Sequence, residues 1–314
     1  MAGVRVSIRV LKPGLSTTVQ DGGRFGYAHL GISPCGPADR LSMRIANRMV
    51  GNDEYAPALE MTLMGATLEF ESDATIALAG ANCGCVLAEE RVGAFTPLPT
   101  AAGMVLHCGS TTDGARTYLA VRGGIEVPLI MGSASTDVRG KFGGVEGRRL
   151  KAGDVLKISS AGARQPQRVW REALQKMHSE GPIRVTRGAQ HHWFCPAEYG
   201  RFLTSPYVVS EQSDRAGLRL TGEAINTVER RQLLTDGIPL GAIQVPQDGQ
   251  PIILFVDQQT TGGYPKITNV IAADMHRVGQ LRPRDQVRFA EVSICQAFEA
   301  LREQERWFEE IWQE

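Results

Sequence analysis

The chain has 314 residues, 42% of them hydrophobic and 22% charged, a composition typical of a globular protein with a buried core. Lys+Arg and Asp+Glu number 34 each, so the formal net charge is zero and the excess of basic residues needed for a sequence-independent grip on nucleic acid is missing. The length favours two domains and no apolar run is long enough to span a bilayer, so we expect a cytoplasmic protein that contacts neither nucleic acid nor membrane.

Short runs rich in β-branched and aromatic residues recur at close intervals in a chain that contains 35 glycines, a pattern typical of β-barrels and β-sandwiches. These runs favour a mainly β fold with a few helices. Strands are predicted over residues 7–10, 66–71, 75–79, 117–121, 155–158, 183–186, 252–256 and 286–289.

Helical periodicity is confined to a few segments. Residues 39–50 place their apolar side chains on one face, and Asp39 is a suitable N-cap for the helix that follows. Residues 293–314 open with a capping box, in which Ser293 and Gln296 each satisfy a backbone N–H group of the other. We therefore predict a helix after Asp39 and another at the C-terminal end of the sequence.

The same order of features occurs twice along the chain, which indicates two related β domains. In each half a predicted strand ends at a valine and is followed by paired glycines; the valine is Val121 in the first half and Val256 in the second. Further along, an aspartate precedes another strand, Asp154 in the first half and Asp285 in the second. A polar segment between the halves has the composition of a linker. The predicted organisation is an N-terminal domain over residues 1–165, a linker over 166–180, a C-terminal domain over 181–292 and a C-terminal helix over 293–314.

Three of the six cysteines raise the question of a metal site. Cys83 and Cys85 lie two residues apart on a predicted strand, so they share a face, and His107 and Cys108 come further on. No C-x-x-C pair with a matching second half is present. We therefore interpret these cysteines as small buried thiols and predict no metal site.

The first of three polar, glycine-rich segments spans residues 17–27. Gln20 and Asp21 lead into paired glycines, which allow a tight turn that exposes backbone N–H groups, and Arg24 follows. Arg24 is suited to clamping a carboxylate or phosphate, and Asp21 to binding a metal or accepting a proton. The structural alternative is a turn locked by a surface ion pair between the two, and the sequence leaves both interpretations open.

The second segment, residues 31–39, opens the predicted helix and contains Ser33, Cys35 and Asp39. Helix N-termini attract anions through their unpaired N–H groups, whereas the structural alternative for Asp39 is a plain N-cap. Cys35 would act as a nucleophile only beside a base that the sequence does not place.

The third segment, residues 257–266, follows an apolar strand and packs amides, hydroxyls and paired glycines into one loop. Polar loops mounted on a rigid strand are where binding sites tend to lie. Gln and Thr side chains can donate to and accept from a flat amide or lactam. We expect this loop, Asp21 and Arg24 to line one cavity.

In this order the motifs resemble those of the allophanate hydrolase subunit 2 family, also called the biotin-dependent carboxyltransferase-like family. The motifs lie at residues 17–24 (TTVQDGGR), 31–33 (GIS), 57–60 (PALE), 213–215 (SDR) and 259–265 (QTTGGYP), and the resemblance runs from about residue 10 to residue 289. Within the family, residues 33–36 (SPCG) and 135–137 (STD) look like the branch formed by the C subunits of bacterial 5-oxoprolinases.

The resemblance implies two cyclophilin-like β-barrel domains in tandem and an enzyme assembled with two partners, the 5-oxoprolinase subunits B and A. Such an assembly opens 5-oxo-L-proline to L-glutamate with hydrolysis of ATP in the presence of Mg²⁺. The sequence leaves open which subunit binds ATP, since it has no G-x-x-x-x-G-K-[ST] loop. It also has no biotin-carrier lysine motif, so we expect no biotin.

For this chemistry the candidate catalytic residues are Asp21, Arg24 and Asp39. The candidate substrate-binding residues are Gln20, Ser33, Gln259, Thr260, Thr261, Gly262, Gly263 and Tyr264. Two alternatives stay open: half of a biotin-dependent carboxyltransferase of the urea carboxylase type, and a non-catalytic regulatory partner of a kinase-inhibitor-like protein.

Three aromatic residues, Trp307, Phe308 and Trp312, lie near the end of the sequence on more than one helical face. Buried aromatic side chains commonly anchor interfaces, so we interpret this tail as a docking surface for the B-type partner. The alternative is that the tail folds back on its own domain. We expect the isolated chain to be inactive.

Overall fold

The computed structural model describes residues 7–159, 164–178, 181–228 and 233–313. The predicted N-terminal domain, linker, C-terminal domain and C-terminal helix therefore each include a few residues that lie outside the described ones. No helix within these ranges is long and apolar enough to cross a membrane.

Helices α1 to α4 span Arg40–Met49, Pro196–Thr204, Met275–Gln280 and Ile294–Glu310. Strands β1 to β24 span, in chain order, Ser7–Lys12, Ser16–Gln20, Ala58–Thr62, Thr67–Phe70, Ala74–Gly80, Val86–Leu87, Glu90–Arg91, Leu98–Thr100, Val105–His107, Arg116–Val121, Ile125–Glu126, Val155–Ile158, Arg168–Val169, Ile183–Arg187, Tyr207–Val209, Gly217–Gly222, Asp236–Gly237, Ala242–Gln244, Ile252–Leu254, Thr261–Gly262, Lys266–Val270, Gln286–Val287, Phe289–Glu291 and Trp312–Gln313.

The chain folds into two compact units that do not follow simple halves of the sequence. Unit 1 takes its described residues from 1–24, 35–175 and 311–314, and unit 2 takes its described residues from 25–34 and 176–310. A strand is present at each of the eight predicted positions. The segment predicted as a linker contains β13 and a 3₁₀ helix over Arg171–His178.

Unit 1 contains two sheets that share one apolar core. The five-stranded sheet has the order β2-β3-β10-β5-β8, and the seven-stranded sheet has the order β11-β12-β1-β4-β9-β6-β7. Leu59 and Leu119 of the first sheet belong to the same buried cluster as Leu68 and Leu156 of the second. Because successive side chains of a strand point to opposite faces, the other face of the five-stranded sheet is available for α1 and for polar residues.

Helix α1 begins where the sequence predicts. The Asp39 carboxylate accepts a hydrogen bond from the backbone N–H of Ser42 at 3.0 Å, and Gly51, with φ of 79°, follows the end of the helix. The helix packs on β10 and β5, whose residues on this face include the fully buried Ala79 and Ala120. Alanine at these positions lets the helix approach the sheet closely, so the cap and the helix are held in a fixed place above it.

Unit 2 contains an eight-stranded sheet in the order β22-β15-β16-β19-β18-β21-β14-β23. Its outer strands, Gln286–Val287 and Phe289–Glu291, are separated in the chain by Arg288 alone. The two edges of the sheet therefore lie next to each other, and the sheet curls into a nearly closed barrel. The predicted fold class, mainly β with a few helices and built from β-barrels, is confirmed.

Helix α4 begins with the predicted capping box. The Ser293 backbone N–H donates to Gln296 Oε1 at 2.8 Å, and the Gln296 backbone N–H donates to Ser293 Oγ at 3.2 Å. Of the three aromatic residues of the tail, Phe308 is fully buried, whereas Trp307 and Trp312 are half-buried. Trp312 lies in β24, which pairs with β13 inside unit 1, and a docking role for the two tryptophans stays a prediction. The docking interpretation is wrong for Phe308, because its ring is already covered by its own chain.

The aspartate turn that the sequence repeats is present in both units. Asp154 and Asp285 each accept, through the carboxylate, a hydrogen bond of 2.8 Å from the backbone N–H three residues earlier. Each also accepts, through its backbone oxygen, a hydrogen bond of 2.9 Å from a strand valine, Val10 and Val209 respectively. The two turns have the same local structure, and the equivalence of the two strand-end valines stays a prediction.

Candidate functional site

A row of buried polar side chains crosses the five-stranded sheet of unit 1. Glu60 on β3 lies opposite Thr18 on β2 and opposite Tyr118 on β10, and directly opposed residues point to the same face of a sheet. The Tyr118 hydroxyl donates to Glu60 Oε2 at 2.6 Å and accepts from the Asp39 backbone N–H at 2.8 Å. The row therefore continues to the N-terminus of α1.

The tyrosine of this row is held in its protonated form. Burial, followed by the charges of Glu60 and Asp39, raises the pKa of the Tyr118 phenol well above its usual value. Both carboxylate oxygens of Asp39 accept from Ser42, Oδ1 from the backbone N–H at 3.0 Å and Oδ2 from the hydroxyl at 2.5 Å. Asp39 is therefore an N-cap, and a catalytic role for it stays a prediction.

Asp21 lies just after β2 and fixes a distant segment of the chain beside it. Its Oδ1 accepts from the hydroxyls of Ser133 and Ser135, at 2.5 and 2.6 Å, and from the Gly23 backbone N–H at 2.9 Å. Its Oδ2 accepts from the Ala134 backbone N–H at 2.6 Å. Four hydrogen bonds use most of the acceptor capacity of a carboxylate, so this side chain organises its surroundings.

Arg24 does not pair with Asp21. One terminal nitrogen donates to the Ser135 backbone oxygen, and the guanidinium carbon lies 4.8 Å from the centre of the Phe142 ring. The residue is 1% exposed, and its Nε and Nη1 have no hydrogen-bond partner among the described residues. The interpretation as a surface ion pair is wrong, because both side chains are buried and Asp21 bonds to serine hydroxyls instead.

Gln20 and Arg24 contact consecutive backbone oxygens of the same segment. Gln20 Nε2 donates to the Thr136 oxygen at 3.3 Å, next to the Ser135 oxygen that Arg24 contacts. Gln20 is fully buried, and its Oε1 has no partner among the described residues. A Cβ atom at Gly143 would lie within 2.7 Å of Arg24 Nη2, so a glycine there makes room for the guanidinium.

We call Gln20, Asp21, Arg24 and the segment 133–136 the Arg24 cluster. It combines a buried cation that has two unsatisfied donors with a neutral amide that has one unsatisfied acceptor. Leaving such groups unpaired inside a protein costs free energy. Unpaired groups of these kinds can bond to a ligand that carries negative charge and an N–H group, and a binding role for the Arg24 cluster stays a prediction.

In unit 2 the loop over residues 259–264 contributes β20 to a two-stranded sheet, in which β20 pairs with β17 and Asp236 lies opposite Gly262. The residues Gln259, Thr261, Gly263 and Tyr264 are exposed, Tyr264 to 45%. The polar side chains of this loop are therefore accessible to a ligand from solvent.

Buried polar groups lie beside the two strands of this small sheet. Lys266 is 2% exposed and its Nζ lies 3.1 Å from the Asp236 carboxylate; this hydrogen bond is the main reason that the pKa of Asp236 is lowered. Gln258 donates through Nε2 to a backbone oxygen at 2.9 Å, and its Oε1 has no partner among the described residues. The Ser33 hydroxyl donates to the Val256 backbone oxygen at 2.9 Å, which places Ser33 at the start of the same segment.

The predicted site residues therefore fall into two groups. Gln20, Asp21, Arg24 and Asp39 lie in unit 1, and Ser33 and the 259–264 loop lie in unit 2. Their roles in catalysis or binding, and the shared cavity, stay predictions.

Sequence reasoning did not name as site residues several polar residues inside strands or distant segments, although Glu60, Ser135 and Lys266 lie in the motifs and segments described above: Glu60, Tyr118, Ser133, Ser135 and Lys266. Part of the signal was present, since Glu60 interrupts the apolar residues of β3 and is nevertheless 1% exposed. A charged residue in a buried strand needs a specific partner, and that need could have marked it.

The family model of the carboxyltransferase domain, subdomain A and B, matches residues 30–291, and the chain belongs to this family. Among its relatives, the C subunit of 5-oxoprolinase from Escherichia coli (strain K12) is 42% identical over 304 residues, which cover 97% of each protein. The protein of the same name from Haemophilus influenzae is 35% identical and covers 94% of each.

Larger proteins contain the same fold. The urea amidolyase of Saccharomyces cerevisiae is 34% identical over 91% of this chain, which spans 17% of that protein. The crystal structure of the Kluyveromyces lactis urea amidolyase matches 96% of this chain with a TM-score of 0.91 and 34% identity, and the match spans 20% of that chain.

Proposed function

We propose that this chain is the C-type subunit of a cytoplasmic, ATP-dependent 5-oxoprolinase that opens 5-oxo-L-proline to L-glutamate. The observation that carries the proposal is the 42% identity with the C subunit of the Escherichia coli 5-oxoprolinase over 97% of both proteins. The urea amidolyase of Saccharomyces cerevisiae is less similar and this chain spans 17% of it, which favours the 5-oxoprolinase assignment over a carboxyltransferase half.

The chemistry of the substrate suits the Arg24 cluster. A five-membered lactam is a stable amide, and opening it places negative charge on the carbonyl oxygen, which preorganised donors stabilise. Arg24 offers Nε and Nη1 for that charge, and the free Oε1 of Gln20 can accept the lactam N–H. Asp21 holds the segment that contacts both side chains, so it acts as a positioning residue in this proposal.

ATP with Mg²⁺, when bound by the assembly, supplies the phosphoryl group that makes the lactam carbonyl a better electrophile. Arg24 fits one anionic group and does not by itself select a nucleotide. Both oxygens of Asp21 already accept hydrogen bonds from the chain, so we assign it neither Mg²⁺ nor ATP. We propose that partner subunits of the B and A types complete the site and that the isolated chain is inactive, and we assign no role to biotin.

The test is to co-express the chain with its co-encoded B-type and A-type proteins and measure ATP hydrolysis that depends on 5-oxoproline. We expect activity from the complete assembly and none from the chain alone. Turnover by the isolated chain would contradict the need for partners. Activity with urea and carboxybiotin, and none with 5-oxoproline, would show that the carboxyltransferase alternative is correct.

A further inference from the structure

Three cysteine thiols converge at one point in the core of unit 1, separate from the residues of the proposed function. The Sγ atoms of Cys83 and Cys85 are 3.1 Å apart, and those of Cys85 and Cys108 are 3.4 Å apart. All three sulfur atoms lie within 4.8 Å of one another, and the residues are 5% exposed or less.

The backbone explains why the sulfur atoms meet. Val86 on β6 is the partner of His107 on β9, so the antiparallel register places Cys85 opposite Cys108. The Gly109 backbone N–H donates to the Cys83 oxygen at 2.7 Å, which holds the turn before β6 against the end of β9. The three cysteines lie just outside β6 and β9, and the pairing of these strands together with the Gly109 hydrogen bond positions their thiols.

The donor set restricts what this group can bind. Sulfur ligands select soft ions such as Cu(I) and Zn²⁺, and not Mg²⁺ or Ca²⁺. A structural zinc site takes four ligands, whereas this group of described residues offers three, and His107 instead lies 2.9 Å from the Thr67 hydroxyl through its Nδ1. A monovalent ion also suits an apolar core better than a divalent one, because burying charge is costly.

The thiolate is the form of cysteine that ligates a metal, so binding at this group requires the loss of a proton from a thiol.

We propose that Cys83, Cys85 and Cys108 form a three-sulfur site for one Cu(I) ion. Binding forms Cu–S bonds and breaks one S–H bond, whose proton goes to solvent. The single positive charge of Cu(I) and the negative charge of the one thiolate then cancel. No electron is transferred. With Cu–S bonds of about 2.25 Å, trigonal sulfur atoms are about 3.9 Å apart. The observed separations of 3.1 and 3.4 Å then need to open by roughly 0.5 to 0.8 Å.

The test uses the reduced full chain under anaerobic conditions, with Cu(I) supplied from a coloured chelator that competes for it. We expect one equivalent of Cu(I) per chain, and an X-ray absorption spectrum with sulfur neighbours at about 2.2–2.3 Å and no nitrogen or oxygen. Cys85→Ser should weaken Cu(I) binding by at least about 100-fold. Loss of a residue that only hydrogen-bonds to a metal ligand already lowers metal affinity by up to about 100-fold, and Cys85 would be a ligand itself. The matched control is the double variant Cys195→Ser/Cys295→Ser, at the two cysteines that are not buried, and it should bind as the wild type does.

Several outcomes would overturn the site. These are no binding beyond the chelator, a spectrum with nitrogen or oxygen neighbours, unchanged affinity in Cys85→Ser, or Zn²⁺ bound as tightly as Cu(I). Because a serine in an apolar core can prevent folding, circular dichroism is measured on each variant. If Cys85→Ser does not fold, the stoichiometry and the absorption spectrum of the wild type decide the question.

Discussion

Two glycine-rich polar turns have similar compositions, yet the chain uses them differently. The turn at Gln20–Arg24 is buried, and its side chains bond to residues more than 100 positions away, at Ser133 to Thr136. The 259–264 loop is exposed and pairs with a short strand nearby in the sequence, Asp236–Gly237. Composition alone does not distinguish a turn that organises a buried cluster from a loop that presents its side chains to solvent.

The difference has an energetic consequence. In the buried turn a polar group with several partners, such as Asp21, depends on them, so its substitution changes stability and site geometry together. In the exposed loop water replaces a lost partner, so a substitution can change binding and leave folding unaffected.

The largest expected effect is on the buried carboxylate. Both oxygens of the Asp21 carboxylate accept hydrogen bonds, whereas the Asn side chain of Asp21→Asn would place an NH₂ donor against one of these donors. We expect a loss of about 2–4 kcal/mol in the free energy of unfolding. Urea denaturation measures it. The matched control is Asp73→Asn, where an exposed carboxylate accepts from the Ala102 backbone N–H at 3.0 Å. Equal, small losses in both variants would contradict the organising role of Asp21.

At Arg24 we expect a loss of activity without a loss of stability. Arg24→Met keeps the volume and removes an incompletely paired charge, so stability should be unchanged or higher. In the assembled enzyme kcat should fall by more than about ten-fold, a loss of about 1.4 kcal/mol of transition-state stabilisation. Steady-state kinetics and thermal melting measure the two effects, with Arg302→Met on the exposed face of α4 as control. A lower melting temperature with activity that follows the folded fraction would make Arg24 a structural residue.

Two substitutions at Asp39 separate its cap from any catalytic role. Asp39→Ala should cost about 1 kcal/mol because it removes the N-cap of α1, and Asp39→Ser should recover most of that stability. Urea denaturation measures both. If Asp39→Ser folds normally and is inactive in the assembly, the carboxylate itself takes part in the reaction; full activity would leave the cap as its function.

In the exposed loop we expect little change in stability. Tyr264→Ala should alter the free energy of unfolding by less than about 1 kcal/mol. If the loop binds substrate, loss of one hydrogen bond should raise KM for 5-oxoproline about five-fold. Tyr264→Phe, which removes the hydroxyl alone, shows whether the effect comes from that group. A stability loss as large as that of Asp21→Asn would remove the distinction between the two turns.

The smallest effect is expected at a surface carboxylate. The hydrogen bond from Arg148 lowers the pKa of Asp154, so the stability this group contributes is present above its unfolded pKa of about 3.9 and is lost as pH falls through the lower folded value. Asp154→Asn should cost less than about 1 kcal/mol at pH 7, since solvent screens the pair, and less than that at pH 2. Denaturation at both pH values checks this, with Asp285→Asn as the matched variant in the equivalent turn. A cost that does not change with pH would mean that the turn, and not the charge, matters.

Local patterns in the sequence were enough to predict much of the fold. The eight strands, the helix capped by Asp39 and the capping box at Ser293 all depend on neighbours within a few residues, and all are present. Cys83 and Cys85 do lie together, but the strand predicted to carry them is absent: both lie in the turn before β6, where Gly84 has a φ of 56°.

What the sequence did not predict depends on distant pairing. The partners of Asp21 come from Ser133 and Ser135, and the meeting of Cys85 with Cys108 needs the register of β6 on β9. No local pattern specifies these contacts. The burial of Phe308 likewise depends on distant residues, so the docking interpretation of this residue is wrong although its helix was predicted.

The division of the chain between the units has a consequence for its synthesis. Strand β24, Trp312–Gln313, pairs with β13 in unit 1, whereas residues 176–310 belong to unit 2. The ribosome therefore makes the last strand of unit 1 after every residue of unit 2. Domains near the N-terminus generally fold first during translation, but here β24 can pair with β13 only after all of unit 2 has been synthesised. A chain that stops at residue 310 contains all of unit 2 and lacks a strand of unit 1, so premature termination damages the unit that was begun first.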